Sequence, residues 1–129
     1  MPLILIDVIR GRDEQQLQRL MDTIHDAMVE AFAVPESDRY QVVTQHEPHE
    51  ITALDTGLGF TRTRDLVILR FVSRQRTDGA KQHLYRLLAA RLERDCEVDP
   101  ADLIVTVVEN DAGDWSFGGG VAQFLTGAL

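Results

Sequence analysis

Two features of this 129-residue sequence stand out for their chemistry: the Met1-Pro2 start and the triplet Arg74-Gln75-Arg76. Aminopeptidases commonly remove methionine ahead of a small residue such as proline. Pro2 would then carry a secondary amine, whose pKa starts from about 7.7–8.0 for an α-amino group. An apolar pocket and nearby arginines lower that value, and a carboxylate raises it. Depending on the balance, such an amine serves as a base, as a nucleophile toward carbonyls or as a fixed cationic acid. With Met1 retained, the nitrogen is an amide and this chemistry is closed.

Arg74 and Arg76 suit a substrate carboxylate, which a guanidinium grips through charge-assisted hydrogen bonds; the plain alternative is a solvated strand end. Asp38, within Val34-Pro35-Glu36-Ser37-Asp38-Arg39-Tyr40, is a candidate to hold an arginine, orient a water or raise the pKa of Pro2. Otherwise it is a turn residue entering a strand. Trp115, Phe117, Phe124 and Leu129 lie in a tail interrupted by Gly118-Gly119-Gly120. They offer an apolar wall over the site or ordinary packing, and the glycines permit a close turn or a flap.

Positioning these groups falls to two similar stretches. Leu3 to Ile9 is apolar except for Asp7 and reads as a strand buried on both faces. Asp13 with Gln16 forms a capping-box pattern ahead of Leu17, Leu20, Met21, Ile24, Met28, Ala31 and Phe32 at helical spacing. Pro35 ends that helix and Tyr40 to Thr44 reads as a second strand. The order then returns: strand Leu66 to Ser73, N-cap Thr77, a helix lined by Leu84, Leu87, Leu88 and Leu92, and strand Leu103 to Val108. A shift of 64 residues (10 to 74) pairs Arg10 with Arg74, and it also pairs Arg12 with Arg76, Leu20 with Leu84, Val34 with Val98 and Asp38 with Asp102. An ungapped match of this kind points to duplication of one β-α-β unit.

The expected architecture is therefore α/β (α+β), with duplicated β-α-β units in one four-stranded mixed sheet and two helices on one face. One domain over 1–129 is expected, with repeats at about 2–45 and 66–109 and a C-terminal segment over 110–129. If the units pair antiparallel, Pro2 at the start of the first strand lies beside Arg74 and Arg76 at the end of the third, and strand alternation is expected to turn both guanidiniums toward the Pro2 nitrogen. The twin arginines, Arg10 and Arg12, face Leu66, which has no free amine. The other sheet face is left apolar and calls for an oligomer.

The net charge of −8 disfavours nucleic acid and anionic membranes as partners. No apolar run is long enough to cross a bilayer. A single cysteine, Cys96, leaves no internal disulfide framework and fits a cytoplasmic protein; it reads as packing rather than as a nucleophile. His46-Glu47-Pro48-His49-Glu50 has metal-capable side chains, but Pro48 breaks any regular arrangement, and a solvated loop is expected.

These residues resemble the tautomerase superfamily, and within it the malonate semialdehyde decarboxylases, over essentially the whole chain. The resemblance rests on Val34-Pro35 with Asp38-Arg39-Tyr40-Gln41-Val42-Val43, on Asp55-Thr56-Gly57-Leu58-Gly59 and on Ser73-Arg74-Gln75-Arg76. Glu93-Arg94-Asp95-Cys96, Asp114-Trp115-Ser116-Phe117-Gly118 and Ala122-Gln123-Phe124-Leu125-Thr126-Gly127 add to it. It implies a tautomerase/MIF-like fold and a homotrimer. The catalytic positions fall on Pro2, Asp38, Arg74 and Arg76, and the hydrophobic wall on Trp115, Phe117, Phe124 and Leu129. The related cis-3-chloroacrylate dehalogenases carry a histidine and a glutamate where this chain has Val29 and residues such as Trp115, so that reaction is not favoured.

The implied reaction is cofactor-independent decarboxylation of malonate semialdehyde to acetaldehyde and carbon dioxide, with no metal. A tautomerase or hydratase acting on small 2-oxo acids is the alternative, because it needs the same proline and arginines. A non-catalytic oligomeric binding protein is a third reading.

Overall fold

The computed structural model describes residues 2–129; Met1, and with it the question of its removal, lies outside the described residues. Strand β1 (Leu3–Ile9) leads into helix α1 (Glu14–Phe32), and strand β2 (Tyr40–His46) follows. The second round is strand β3 (Val67–Arg74), helix α2 (Asp78–Cys96) and strand β4 (Leu103–Asn110). A short helix α3 (Gln123–Thr126) closes the chain. Among the described residues no helix is long and apolar enough to cross a membrane.

Each of the two long helices starts where the sequence provides a cap. The Asp13 carboxylate accepts from the Gln16 N–H at 2.8 Å, and the Gln16 side chain accepts from the Asp13 N–H at 2.9 Å. Two of the N–H groups that a helix start leaves unpaired are thereby satisfied. Thr77 caps α2 with a single bond, its hydroxyl accepting from the Ala80 N–H at 3.1 Å. Both helices end on a left-handed residue that is not glycine, Ala33 (φ 53°) and Glu97 (φ 57°). Such a conformation costs about 1–2 kcal/mol, and it recurs at the same place in both halves. The two ends of α2 also lie 64 residues beyond those of α1 (14 to 78, 32 to 96).

The sheet runs in the order β2-β1-β3-β4. β1 and β2 are parallel, as are β3 and β4, whereas β1 and β3 are antiparallel with Leu3 opposite Val72. Alternation along the strands sends Ile4, Ile6, Val8, Val67, Leu69 and Phe71 into one core with Leu20, Ile24 and Met28 of α1 and Leu84, Leu88 and Leu92 of α2. Burying each such large side chain contributes about 1.5–3 kcal/mol. This is the four-stranded mixed sheet, with both long helices on one face, expected from the sequence. The opposite face carries Leu3, Leu5, Val42, Ile68, Val72 and Val108, with Val42 and Val108 each 50% exposed.

Sequence and structure differ at several ends. β3 starts at Val67 rather than Leu66, while β2 and β4 run two residues further, to His46 and Asn110. His46 is not a loop residue. It closes β2, and its Nε2 lies 2.8 Å from the Asp7 carboxylate across the sheet. Only Pro48–Glu50 beyond it forms a turn, a single 3-10 turn with Pro48 in its first position.

Candidate active site

The antiparallel pairing of β1 with β3 ends at Leu3 opposite Val72, so Pro2, one residue before β1, adjoins the end of β3 that carries Ser73 and Arg74. Pro2 is buried and Ser73 is fully so. Arg74 ends β3 and Arg76 lies two residues beyond the strand. Strand alternation stops at Arg74, so the two guanidiniums are placed by different contacts rather than by a shared strand face. Arg74 lies over the ring of Phe124, 4.6 Å from its centroid. Arg76 turns back over Phe32 of α1 at 4.9 Å. There it donates from Nε to the Ser73 hydroxyl at 3.1 Å and from Nη1 to the Phe32 carbonyl at 3.3 Å.

Its backbone is fixed as well: the Arg76 N–H donates to Glu109 at 2.8 Å, and Lys81 holds the same carboxylate at 3.0 Å. Burial, followed by the charge of Arg74, pulls the Arg76 guanidinium below its ordinary pKa, and Asp38 opposes them. An arginine remains charged under such pressure. Two adjacent guanidiniums in a partly dehydrated setting are poised for an anion to relieve their repulsion.

Asp38 is 9% exposed, and its N–H donates to the Pro35 carbonyl at 3.0 Å in the turn between α1 and β2. Its charge reaches Arg76. The pairing of β1 with both β2 and β3 is what brings Asp38, at the entry to β2, to the same sheet end as Pro2 and the arginines.

The C-terminal segment supplies one side of the site. Phe117 stacks on Trp115 at 5.2 Å and on Tyr40 at 5.6 Å, and meets Phe124 edge-on at 5.5 Å. Trp115 Nε1 donates to Asn110 at 2.7 Å. Gln123 clamps the glycine turn, accepting from the Phe117 N–H at 2.9 Å and donating to the Gly118 carbonyl at 2.8 Å. Gly119 and Gly120 take φ of 71° and 69° in that turn, where a side chain would be strained. Leu129 follows α3 at the end of the same segment. It remains 56% exposed, and its N–H donates to the Gln123 carbonyl at 3.4 Å.

A cavity of about 630 Å³ opens between Arg74, Arg76, Asn110, Asp111 and Phe124. Two guanidiniums and the Phe124 ring border it together with the Asp111 carboxylate, and the arginines suit it to a small carboxylic acid. Among the described residues no group of three metal-ligating side chains gathers here or elsewhere. The structure thus gathers Pro2, Asp38, Arg74, Arg76, Trp115, Phe117 and Phe124 at one end of the sheet. It adds Ser73, Tyr40, Asn110 and Gln123, which sequence reasoning passed over. Tyr40 bore a signal, an aromatic at a strand start two residues after Asp38. The other three act through hydrogen bonds that reach only one to six residues along the chain and follow no helical or strand period.

This fold, with its duplicated units and a proline at the first strand, defines a class. Family models described as "Tautomerase enzyme" match residues 38–118 and residues 2–61. The chain belongs to the tautomerase family. Among curated relatives, the probable tautomerase YrdN of Bacillus subtilis (strain 168) is 54% identical over 129 residues, all of both chains. The probable tautomerase YusQ of the same organism is 38% identical, covering 97% of this chain and 99% of the relative. Of the solved structures, a malonate semialdehyde decarboxylase described as having decarboxylase and hydratase activities is 50% identical, with a TM-score of 0.96 and 98% of each chain covered. The FG41 malonate semialdehyde decarboxylase inhibited by 3-bromopropiolate is 39% identical, with a TM-score of 0.93 over 98% of this chain and 97% of that one.

Proposed function

We propose that this protein is a cofactor-independent lyase that decarboxylates malonate semialdehyde to acetaldehyde and carbon dioxide. The observation that carries the reading is the placement of Arg74 and Arg76 at the sheet end where Pro2 begins β1, beside the aromatic cluster of Tyr40, Trp115, Phe117 and Phe124. The 50% identity to a malonate semialdehyde decarboxylase over 98% of both chains supports it.

Arg74 and Arg76 hold the substrate carboxylate and align the breaking C–C bond with the carbonyl π system. The bond's electron pair moves toward the carbonyl as carbon dioxide leaves. Pro2 takes up that charge, either as a cationic acid hydrogen-bonded to the oxygen or as an iminium formed beforehand. The enolate or enamine is then protonated at carbon, and in the iminium route water releases acetaldehyde. Asp38 orients Arg76 and a water near Pro2. The aromatic cluster favours departure of neutral carbon dioxide over the retained carboxylate. Leu129 is assigned to the mouth of the same wall. The working unit is a homotrimer whose subunits bury the apolar sheet face, in the cytoplasm.

Proton NMR of malonate semialdehyde with the parent and Arg74→Ala proteins tests the reading. Acetaldehyde from the parent, lost in the variant, is expected; consumption without acetaldehyde would contradict it. The second reading, a 2-oxo acid tautomerase or hydratase, is favoured by two curated relatives being named probable tautomerases and by the hydratase activity of the decarboxylase relative. Ketonisation of phenylenolpyruvate without decarboxylation would select it.

A further inference from the structure

We propose that the far end of the sheet holds a second, non-catalytic site for a small dianion, built on the twin of the candidate active site. The 64-residue shift carries Arg74 and Arg76 back to Arg10 and Arg12. These border a separate cavity of about 520 Å³, one length of β1 away from Pro2, or roughly 20 Å. Arg19 of α1, Arg64 and Arg94 of α2 line it too. The shift relates Arg19 to His83 and Arg94 to Glu30, so neither arginine has an arginine counterpart in the other repeat.

Three features make this end a binder without a reaction. Leu66 stands in the place of Pro2, and its nitrogen is an amide whose N–H donates to the Thr63 carbonyl at 3.3 Å. Asp102, the twin of Asp38, is 2% exposed and does not line the cavity. Its carboxylate accepts from the N–H and hydroxyl of Thr63 in the segment leading to β3. The aromatic cluster of the C-terminal segment covers only the other end.

The charge at the site is not self-cancelling. Five arginines line the cavity against the carboxylates of Asp65, Asp95 and Glu97, and Glu47 pairs with Arg10 from outside the lining, which leaves an excess of one positive charge in a chain of net −8. Arg94 is held by Asp95 at 2.8 Å, Arg10 by Glu47 at 2.8 Å, and Arg12 donates to the Asp65 carbonyl at 2.8 Å. Arg19 and Arg64 make no ion pair among the described residues. Arginines bordering a concavity of small-molecule size, two of them without an ion pair, match the oxygens of a dicarboxylate or a phosphate.

Isothermal titration calorimetry at low salt and neutral pH, with malonate and with inorganic phosphate in separate arms, tests this. Arg19→Gln/Arg64→Gln changes two exposed side chains and leaves the fold intact. It is expected to weaken binding of at least one anion tenfold or more at a site that Arg74→Gln leaves intact. Malonate alone would identify carboxylate recognition, phosphate alone phosphate recognition, and both a site reading charge. Loss of all anion binding in Arg74→Gln, or less than a twofold change in Arg19→Gln/Arg64→Gln, would overturn the proposal.

Discussion

Replacing Arg76 with lysine keeps the charge and removes the geometry. The guanidinium donates to two acceptors, the Ser73 hydroxyl and the Phe32 carbonyl, while its plane covers the Phe32 ring. A lysine ammonium on its narrower stem keeps at most one of those bonds and little of the stacking. One charged hydrogen bond is worth about 1.5–3 kcal/mol. Partial exposure and the 3.1 and 3.3 Å lengths put the stability loss toward the lower end, at about 1–2 kcal/mol. The backbone bond from residue 76 to Glu109 survives, so the fold should persist. The carboxylate grip in the transition state loses a comparable bond, which lowers kcat/KM by about 10–100-fold. Urea denaturation reads the first number and acetaldehyde formation the second. An Arg76→Lys variant within twofold of the parent in kcat/KM would refute the reasoning, whatever its stability.

Other perturbations separate the parts of the site. Phe117→Ala removes the ring shared by three aromatic contacts. A half-buried ring of this kind should cost about 1.5–2.5 kcal/mol in urea denaturation, below the fully buried range, and raise KM for the oxo acid; unchanged stability and KM would contradict the wall. Gly119→Ala meets no neighbour within 4 Å, so only its φ of 71° opposes the change. A loss of about 1 kcal/mol is expected from thermal unfolding; none would show that the turn adapts. Glu109 is held below its ordinary pKa by the Arg76 N–H first and by Lys81 second. A depressed carboxylate contributes stability that is complete at neutral pH and is lost as pH falls through its folded-state value, below the usual glutamate range. Glu109→Gln should therefore flatten the acid limb of the stability–pH curve, and an unaltered limb would exclude the contribution.

The elements were legible where local chemistry and period agreed. Leu3–Ile9 and the span from Asp13 to Phe32 are as the sequence indicates, because a capping box, a 3.6-residue apolar stripe and a following proline all act locally. The repeat made the rest of the sheet legible by analogy. Strand ends were less so: β4 reaches Asn110 because pairing with β3 continues through Arg74, and that depends on the partner strand. In the site, residue types carried the arginines, the aspartate and the aromatics. Their orientation did not follow from alternation, since Arg76 lies past the strand and answers to Ser73 and Phe32 instead. Tyr40 joined the wall through a contact spanning more than seventy residues.

The central claim is that the Pro2 nitrogen performs the reaction. Intact mass first establishes that the protein begins at Pro2, and the parent and Pro2→Ala proteins are then compared for conversion of malonate semialdehyde to acetaldehyde by proton NMR. Turnover by the parent is expected, with a loss of at least about a hundredfold in Pro2→Ala, the scale of a positioned acid or base. Undiminished acetaldehyde from a correctly processed Pro2→Ala protein would contradict it.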